Sequence, residues 1–424
     1  MKDYFKGFYG LSENETQEIW NNDDTVFVFD TNALLLLYRC EKETREAFFE
    51  QWSKIKDKVW LPYHVCLEYQ RNRLAAIKAH VLELEATGEH LKTRISAAAE
   101  LNNFDKKHKE TIKRYDKLRG EFAQLANQLS TLVDTFVSEQ IKNRVEDADF
   151  LAKHDTVRDR ISDLIGERIG SAPDQAKIDT LQSEGKRRYA LQIPPGFEDA
   201  KEKKETTFTY NEITYQRQYG DWFIWNEVLV YVEANNKKNV IFVGNDLKED
   251  WVFITGGQTR GPLEALKTEM AKKCNGAEFL LYTSSSFLFN ANKHLRGTKA
   301  STAAIEEMEN IAIQHYHTYK SHDLYKSILK SHSNSKKWSE YIKCIEPNSS
   351  FIDEINEACE NNSDKLRLIE SLMSSPDISQ NLKLLLLLER NQTRKKIRYD
   401  DYFRSHSNKE NEVKDDDDDI ENDG

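Results

Sequence analysis

Four acidic residues stand where carboxylate chemistry could be built: Asp30, Glu68, Asp221 and Asp246, with Asp250 four residues further on. Carboxylates held a few ångströms apart repel one another unless a cation neutralises them. Hard oxygen ligands suit Mg²⁺ or Mn²⁺, bound as one or two ions. Two such ions, roughly 3.5–4 Å apart, can stabilise both the attacking and the leaving oxygen of an in-line displacement at phosphorus. Water supplies the nucleophile in that chemistry, so no Ser, Cys or His nucleophile is needed.

The elements around these acids bear on whether they can meet. Thr25-Val26-Phe27-Val28-Phe29 reads as a buried strand, followed directly by Asp30-Thr31-Asn32 and an apolar helix. Asn239-Val240-Ile241-Phe242-Val243 is a second buried strand, ending in Gly244-Asn245-Asp246. Glu278 to Tyr282 reads as a last strand, Val59-Trp60-Leu61 as a short one, and residues 262–273 as a helix opening with Pro262, a favoured first-turn residue. Alternation with helices implies a mainly parallel α/β sheet, in which ligands bind beyond the carboxyl ends of the strands. Glu68 falls two turns into a helix that starts near Pro62. Asp221 opens a helix apolar nearly all round, with Trp222, Phe223, Ile224, Trp225, Val228, Leu229 and Val232.

Each acid also has a plainer reading. Asp30 can cap a helix, Glu68 can pair with Arg71 three residues on, Asp221 can cap its own helix, and Asp246 and Asp250 can belong to a solvated turn. Arg71, Arg73 and Lys248 flank the acids and can guide phosphates or form surface ion pairs. His64 reads as structural.

No proline occurs between Pro62 and Pro173, and this span is rich in strong helix formers. Residues 75–185 are therefore expected to form a helical, coiled-coil-like insertion, and 171–218 to be largely loop. Residues 1–24 read as an N-terminal helical segment. Residues 300–405 read as α-helical, with a basic cluster at Arg394 to Arg398. Residues 406–424, with five consecutive aspartates at 415–419, read as a disordered acidic tail.

Composition narrows the function classes. Of the net charge of −11, residues 409–424 carry −7, so the body is near neutral and can hold local basic patches. Five cysteines without a C-x-x-C pair argue against a disulfide framework or a cysteine-based zinc site. No long apolar run or apolar leader is seen. The expectation is a cytoplasmic protein without a membrane partner.

At the same residues the chain resembles the PIN-like domain nucleases. Phe27-Val28-Phe29-Asp30-Thr31-Asn32 resembles their opening motif. Leu61 to Arg73 is similar to the second motif of a bacterial PIN-like subfamily that has a long helical insertion. Ile193-Pro194-Pro195-Gly196-Phe197, Tyr219-Gly220-Asp221 and Asp246 to Trp251 match later motifs in order. The resemblance spans roughly residues 25–290. It implies an α/β, 5′-nuclease-like fold: a mainly parallel sheet flanked by helices, with a helical insertion and an α-helical C-terminal region.

It further implies Mg²⁺ or Mn²⁺ held by Asp30, Glu68, Asp221 and Asp246, with Asp250 accessory. Asn32 would orient Asp30 or the scissile phosphate. Apart from the resemblance, Thr31, Arg71, Arg73 and Lys248 are the expected substrate contacts, by their position beside the acids. Asn245 stands where the subfamily often has a further Asp, which removes a charge. The implied activity is endonucleolytic hydrolysis of RNA ahead of single-stranded DNA, in a toxin-like or phage-defence role. The rival expectation is a catalytically weak module that binds nucleic acid or protein through its helical arm. Self-association or a protein partner could use the insertion or the C-terminal helices. An aspartate-nucleophile phosphatase would need a second Asp at position 32, where Asn32 stands.

Overall fold

The computed structural model describes Met1, residues 5–198, 200, 203–204, 206–245, 248–255 and 258–312, and positions 365–367, 369–370, 386, 390 and 393. Asp246, the basic cluster and the acidic tail lie outside the described residues. The chain divides into two compact units, Met1–Ala312 and Ile313–Gly424. In the second, the described positions are helical.

The first unit opens with α1 (Glu13–Asn21), started by a Ser12–Glu15 capping box. It continues through β1 (Thr25–Phe29), α2 (Thr31–Leu36) and α3 (Lys42–Lys54). The helical insertion follows: α4 (Tyr63–Ala99), α5 (Lys106–Arg114), α6 (Asp116–Phe136), α7 (Asn143–Ala148), α8 (Thr156–Ile165) and α9 (Gln175–Ala190). Then come the hairpin β2 (Thr207–Tyr210) and β3 (Ile213–Gln216), α10 (Gly220–Ala234) and β4 (Asn239–Val243). A second hairpin, β5 (Val252–Thr255) and β6 (Gln258–Pro262), precedes α11 (Glu264–Lys273), β7 (Glu278–Tyr282) and α12 (Ser284–His294). Residues 302–312 are helical.

The central sheet is parallel, with strand order β1-β4-β7. Its register pairs Phe29 with Val243 and Val243 with Tyr282, so all three strands end level. Both faces are covered by aromatic side chains, which explains why β1 and β4 are continuous apolar runs rather than alternating ones. On one face Phe27 and Phe29 pack against Trp20, Trp52 and Phe287. On the other, Phe242 and Phe279 pack against Trp251 and Trp225.

Three local expectations change. Residues 59–61 make isolated bridges, Phe27 to Val59 and Leu61 to Ile169, rather than a strand. The segment expected to be loop carries α9, capped by Asp174 and packed through Ile178 and Leu181. Its polar majority hides a narrow apolar stripe. Pro262 closes β6 instead of opening a helix; a strand end tolerates its missing N–H.

Candidate active site

The level strand ends place the site. Asp30 follows β1, and its N–H donates to the Val243 carbonyl at 2.8 Å, while the Gly244 N–H donates to Tyr282 at 2.9 Å. Asp30 sits at the cap position of α2, yet its side chain makes no capping bond there. Its carboxylate packs against Gly244, where an added Cβ would lie 3.3 Å from the Asp30 Cβ.

Glu68 reaches the same edge from α4. The start of that helix is fixed from outside: Glu227 of α10 accepts the N–H groups of Tyr63 at 2.5 Å and His64 at 3.2 Å. Burial pushes the Glu227 carboxyl up to about 7, against the opposing pull of His64 and these two amides. Two turns on, Glu68 accepts a hydrogen bond from the Thr31 hydroxyl at 3.1 Å, which ties it to the residue beside Asp30. His64 Nε2 lies 3.5 Å from the other Glu68 oxygen. His64 is buried, whereas 31% of the Glu68 side chain is exposed, so the carboxylate opens onto solvent. Desolvation raises the Glu68 carboxyl, but the His64 hydrogen bond and charge, Lys203 and Thr31 outweigh it and hold it below its ordinary value.

Asp221 arrives in the first turn of α10. Its neighbour Gly220 backs Glu68: a Cβ there would lie 3.0 Å from the Glu68 carboxylate. Asp221 itself lies against Gly196, where a Cβ would come within 2.7 Å of the Asp221 Cβ, and Trp251 Nε1 approaches its carboxylate at 3.5 Å. Gly196 has φ +92°, a conformation that side chains disfavour. Thus three acids from three separate elements each rest on a glycine.

Asp250 is fully buried and accepts the backbone N–H groups of Gly196 at 2.8 Å and Glu198 at 3.1 Å. It anchors the loop that supports Asp221. Arg188 and Glu269 brace the same loop. Their guanidinium–carboxylate pair is bidentate at 2.8 Å, and Arg188 also donates to the Pro194 carbonyl. Asn32 Oδ1 accepts the Asn245 N–H, and the Asn245 side chain exchanges two hydrogen bonds with Ser284.

The flanking cations separate. Arg71 lies over the Phe208 ring at 3.9 Å and is exposed. Arg73 pairs at 2.7 Å with Asp155, well inside the protein. Lys248 is half-buried in the turn before β5. Among the described residues, no three His, Cys, Asp or Glu side chains form a ready-made metal group. By chemical type, the carboxylate oxygens of Asp30, Glu68 and Asp221 are ligands suited to a hard divalent ion.

The family profile described as PIN like domain matches residues 26–266. The chain belongs to the PIN-like domain family. No curated protein and no solved structure matches it. The PIN-like match takes in β1 through the start of α11, and so every element just described as carrying an acid. Two contributors escaped the sequence reading, Gly196 as a support for Asp221 and Ser284, whereas His64, read as structural, is buried beside Glu68. His64 had a signal, since residues 64 and 68 are one helical turn apart. Ser284 had none. No helix among the described residues is long and apolar enough to cross a membrane.

Proposed function

We propose that this PIN-like protein is a divalent-metal-dependent endonuclease that hydrolyses RNA in preference to single-stranded DNA. The observation that carries the reading is the Thr31–Glu68 hydrogen bond beside Asp30, joined to the glycine packing of Asp30, Glu68 and Asp221. Nothing in ordinary folding calls for three acids seated on glycines at the carboxyl edge of a sheet. The carboxyl edge of a parallel sheet is where ligands of such folds bind.

Asp30, Glu68 and Asp221 would hold Mg²⁺ or Mn²⁺, with Asp246 completing the set by its position after β4. Bound there, the ion would supply positive charge to the phosphoryl oxygens and lower the pKa of a water. Thr31 orients Glu68, Asn32 holds the Gly244–Asn245 turn against Asp30, and Asp250 positions the Asp221 loop. Arg71 and Lys248 provide phosphate contacts. Water attacks phosphorus and the P–O3′ bond breaks, leaving 5′-phosphate and 3′-hydroxyl ends. The proposed setting is cytoplasmic, with a toxin-like or phage-defence role.

The test is cleavage of end-labelled single-stranded RNA and DNA by the full chain with Mn²⁺, comparing wild type with Asp30→Asn and Glu68→Gln. Metal-dependent RNA cleavage lost in both variants supports the enzyme. Equal background in all three proteins supports the alternative, a binding module without catalysis. Ends bearing a cyclic phosphate contradict the water mechanism.

A further inference from the structure

The helical insertion exposes an apolar stripe. On α6, Leu118 is 40% exposed, Leu125 51%, Leu129 37%, Leu132 66% and Phe136 49%. Their spacing keeps them on one side of the helix. A different side of α6 already meets α4. Val137, just past its end, is buried against Gly88, and Asp134 pairs with Lys92 at 3.0 Å. The stripe is therefore not the seam of the α4–α6 hairpin.

Two features identify what covers it. First, residues 122–137 contain a single ionisable side chain, Asp134, in a chain of which 31% is charged. Asp134 is already matched within the hairpin. The polar residues interspersed with the stripe, including Gln124, Gln128, Thr131 and Thr135, are uncharged. A nucleic acid or an anionic lipid surface requires a basic flank along the stripe; the bases beside Leu118, Lys117 and Arg119, are each paired within the helix, with Glu121 and Asp116.

Second, the stripe reads the same in both directions. The steps from Leu118 to Leu125, Leu129 and Phe136 are seven, four and seven residues. An antiparallel copy of the helix, related by a two-fold axis level with residue 127, places Leu118 opposite Phe136 and Leu125 opposite Leu129. The same operation sets Leu132 opposite Phe122. Such self-complementarity is what an isologous two-fold interface needs. A helix of 21 residues offers a seam about 30 Å long.

We propose that the PIN-like chain self-associates through α6, two copies pairing antiparallel about an axis level with residue 127. The inference does not rest on the proposed nuclease activity. Because α4 carries Glu68 in its second turn and packs on α6 further along, the pairing links two PIN-like units through their arms.

Sedimentation equilibrium of the full chain tests this. Wild type is expected to dimerise at micromolar concentration. Leu125→Glu with Leu129→Glu sets like charges across the axis and is expected to weaken the dimer more than about 100-fold. Leu125→Lys with Leu129→Glu sets opposite charges across it, so the dimer is expected to persist and become salt-sensitive. Both replaced side chains, Leu125 and Leu129, are exposed, and circular dichroism checks that helix content is kept. Wild type that stays monomeric at 100-fold higher concentration overturns the proposal, as does identical association of the two double variants.

Discussion

The side-chain oxygen of Asn32 accepts the backbone N–H of Asn245 at 2.8 Å, across 213 residues of sequence. This bond fastens the loop after β1 to the loop after β4, and so sets Asp30 against Gly244. Asn32→Ala leaves a half-buried amide without that acceptor, a loss of about 1–2 kcal/mol. Urea unfolding is expected to register it, and cleavage to fall further than stability does. Asn32→Asp keeps the acceptor but adds a charge beside Asp30. Its stability deficit is expected to shrink when Mg²⁺ is added, whereas that of Asn32→Ala is not.

The Gly196 position separates site geometry from general stability. A Cβ there meets Asp221 at 2.7 Å and must adopt φ +92°. Gly196→Ala is expected to displace Asp221 and reduce cleavage at least about 100-fold, in keeping with the cost of a roughly 1 Å misplacement. Gly120→Ala is the matched control. Nothing lies within 4 Å of its added Cβ, and it sits within α6. That variant is expected to raise stability by about 1 kcal/mol and leave cleavage unchanged. Equal activity of the two variants would remove the case for glycine-backed acids.

Much of this arrangement was legible in the sequence, for a definite physical reason. β1 and β4 are buried throughout and β7 at Phe279 and Leu280, so each centres on an apolar run that stands out from its polar surroundings. The acids follow from those strands and from the helix starts near Pro62 and Gly220. What could not be read is how each polar group is used. Arg71 and Arg73 are two residues apart on one helix, yet one lies on Phe208 and the other reaches Asp155. Asp250 stands at a ligand's position in the sequence, and nothing there shows that one of its oxygens accepts two loop amides. Such partners come from segments 50 or more residues away. The hairpin at 207–216 was missed because its strands are short and only partly covered, and that at 252–262 because its strands are short.

Stability is expected to fall in acid because of Glu269. Burial raises its carboxyl, but Arg188, Lys273 and the Trp225 indole together bring it down to about 2, from an ordinary 4.5. A depressed carboxyl contributes stability fully above its unfolded pKa and loses it as pH falls through the folded one. The window is therefore from about 4.5 to about 2, and the contribution at stake is roughly 3 kcal/mol. Urea titrations across this range should show the slope in wild type. Glu269→Gln is expected to flatten it, and to loosen the Pro194–Gly196 loop at neutral pH.

Arg71 and Arg73 divide substrate contact from structure, and each can be read in its own experiment. Asp155 is almost fully buried; besides Arg73 it accepts the Tyr38 hydroxyl and the Arg158 amide at 2.9 Å, capping α8. Arg73→Ala strands that carboxylate, which places the loss at roughly 3–5 kcal/mol. Its effect on cleavage is expected to vanish at a temperature where the variant is fully folded. Arg71 is exposed on the Phe208 ring, so Arg71→Ala is expected to change stability by less than about 1 kcal/mol. If its guanidinium meets a phosphate, RNA affinity falls for every sequence alike, and the slope of log affinity against log salt drops by about one. Binding to an inactive Asp30→Asn background at several salt concentrations measures this directly. An unchanged slope would assign Arg71 to packing against the β2–β3 hairpin and leave Lys248 to meet the strand.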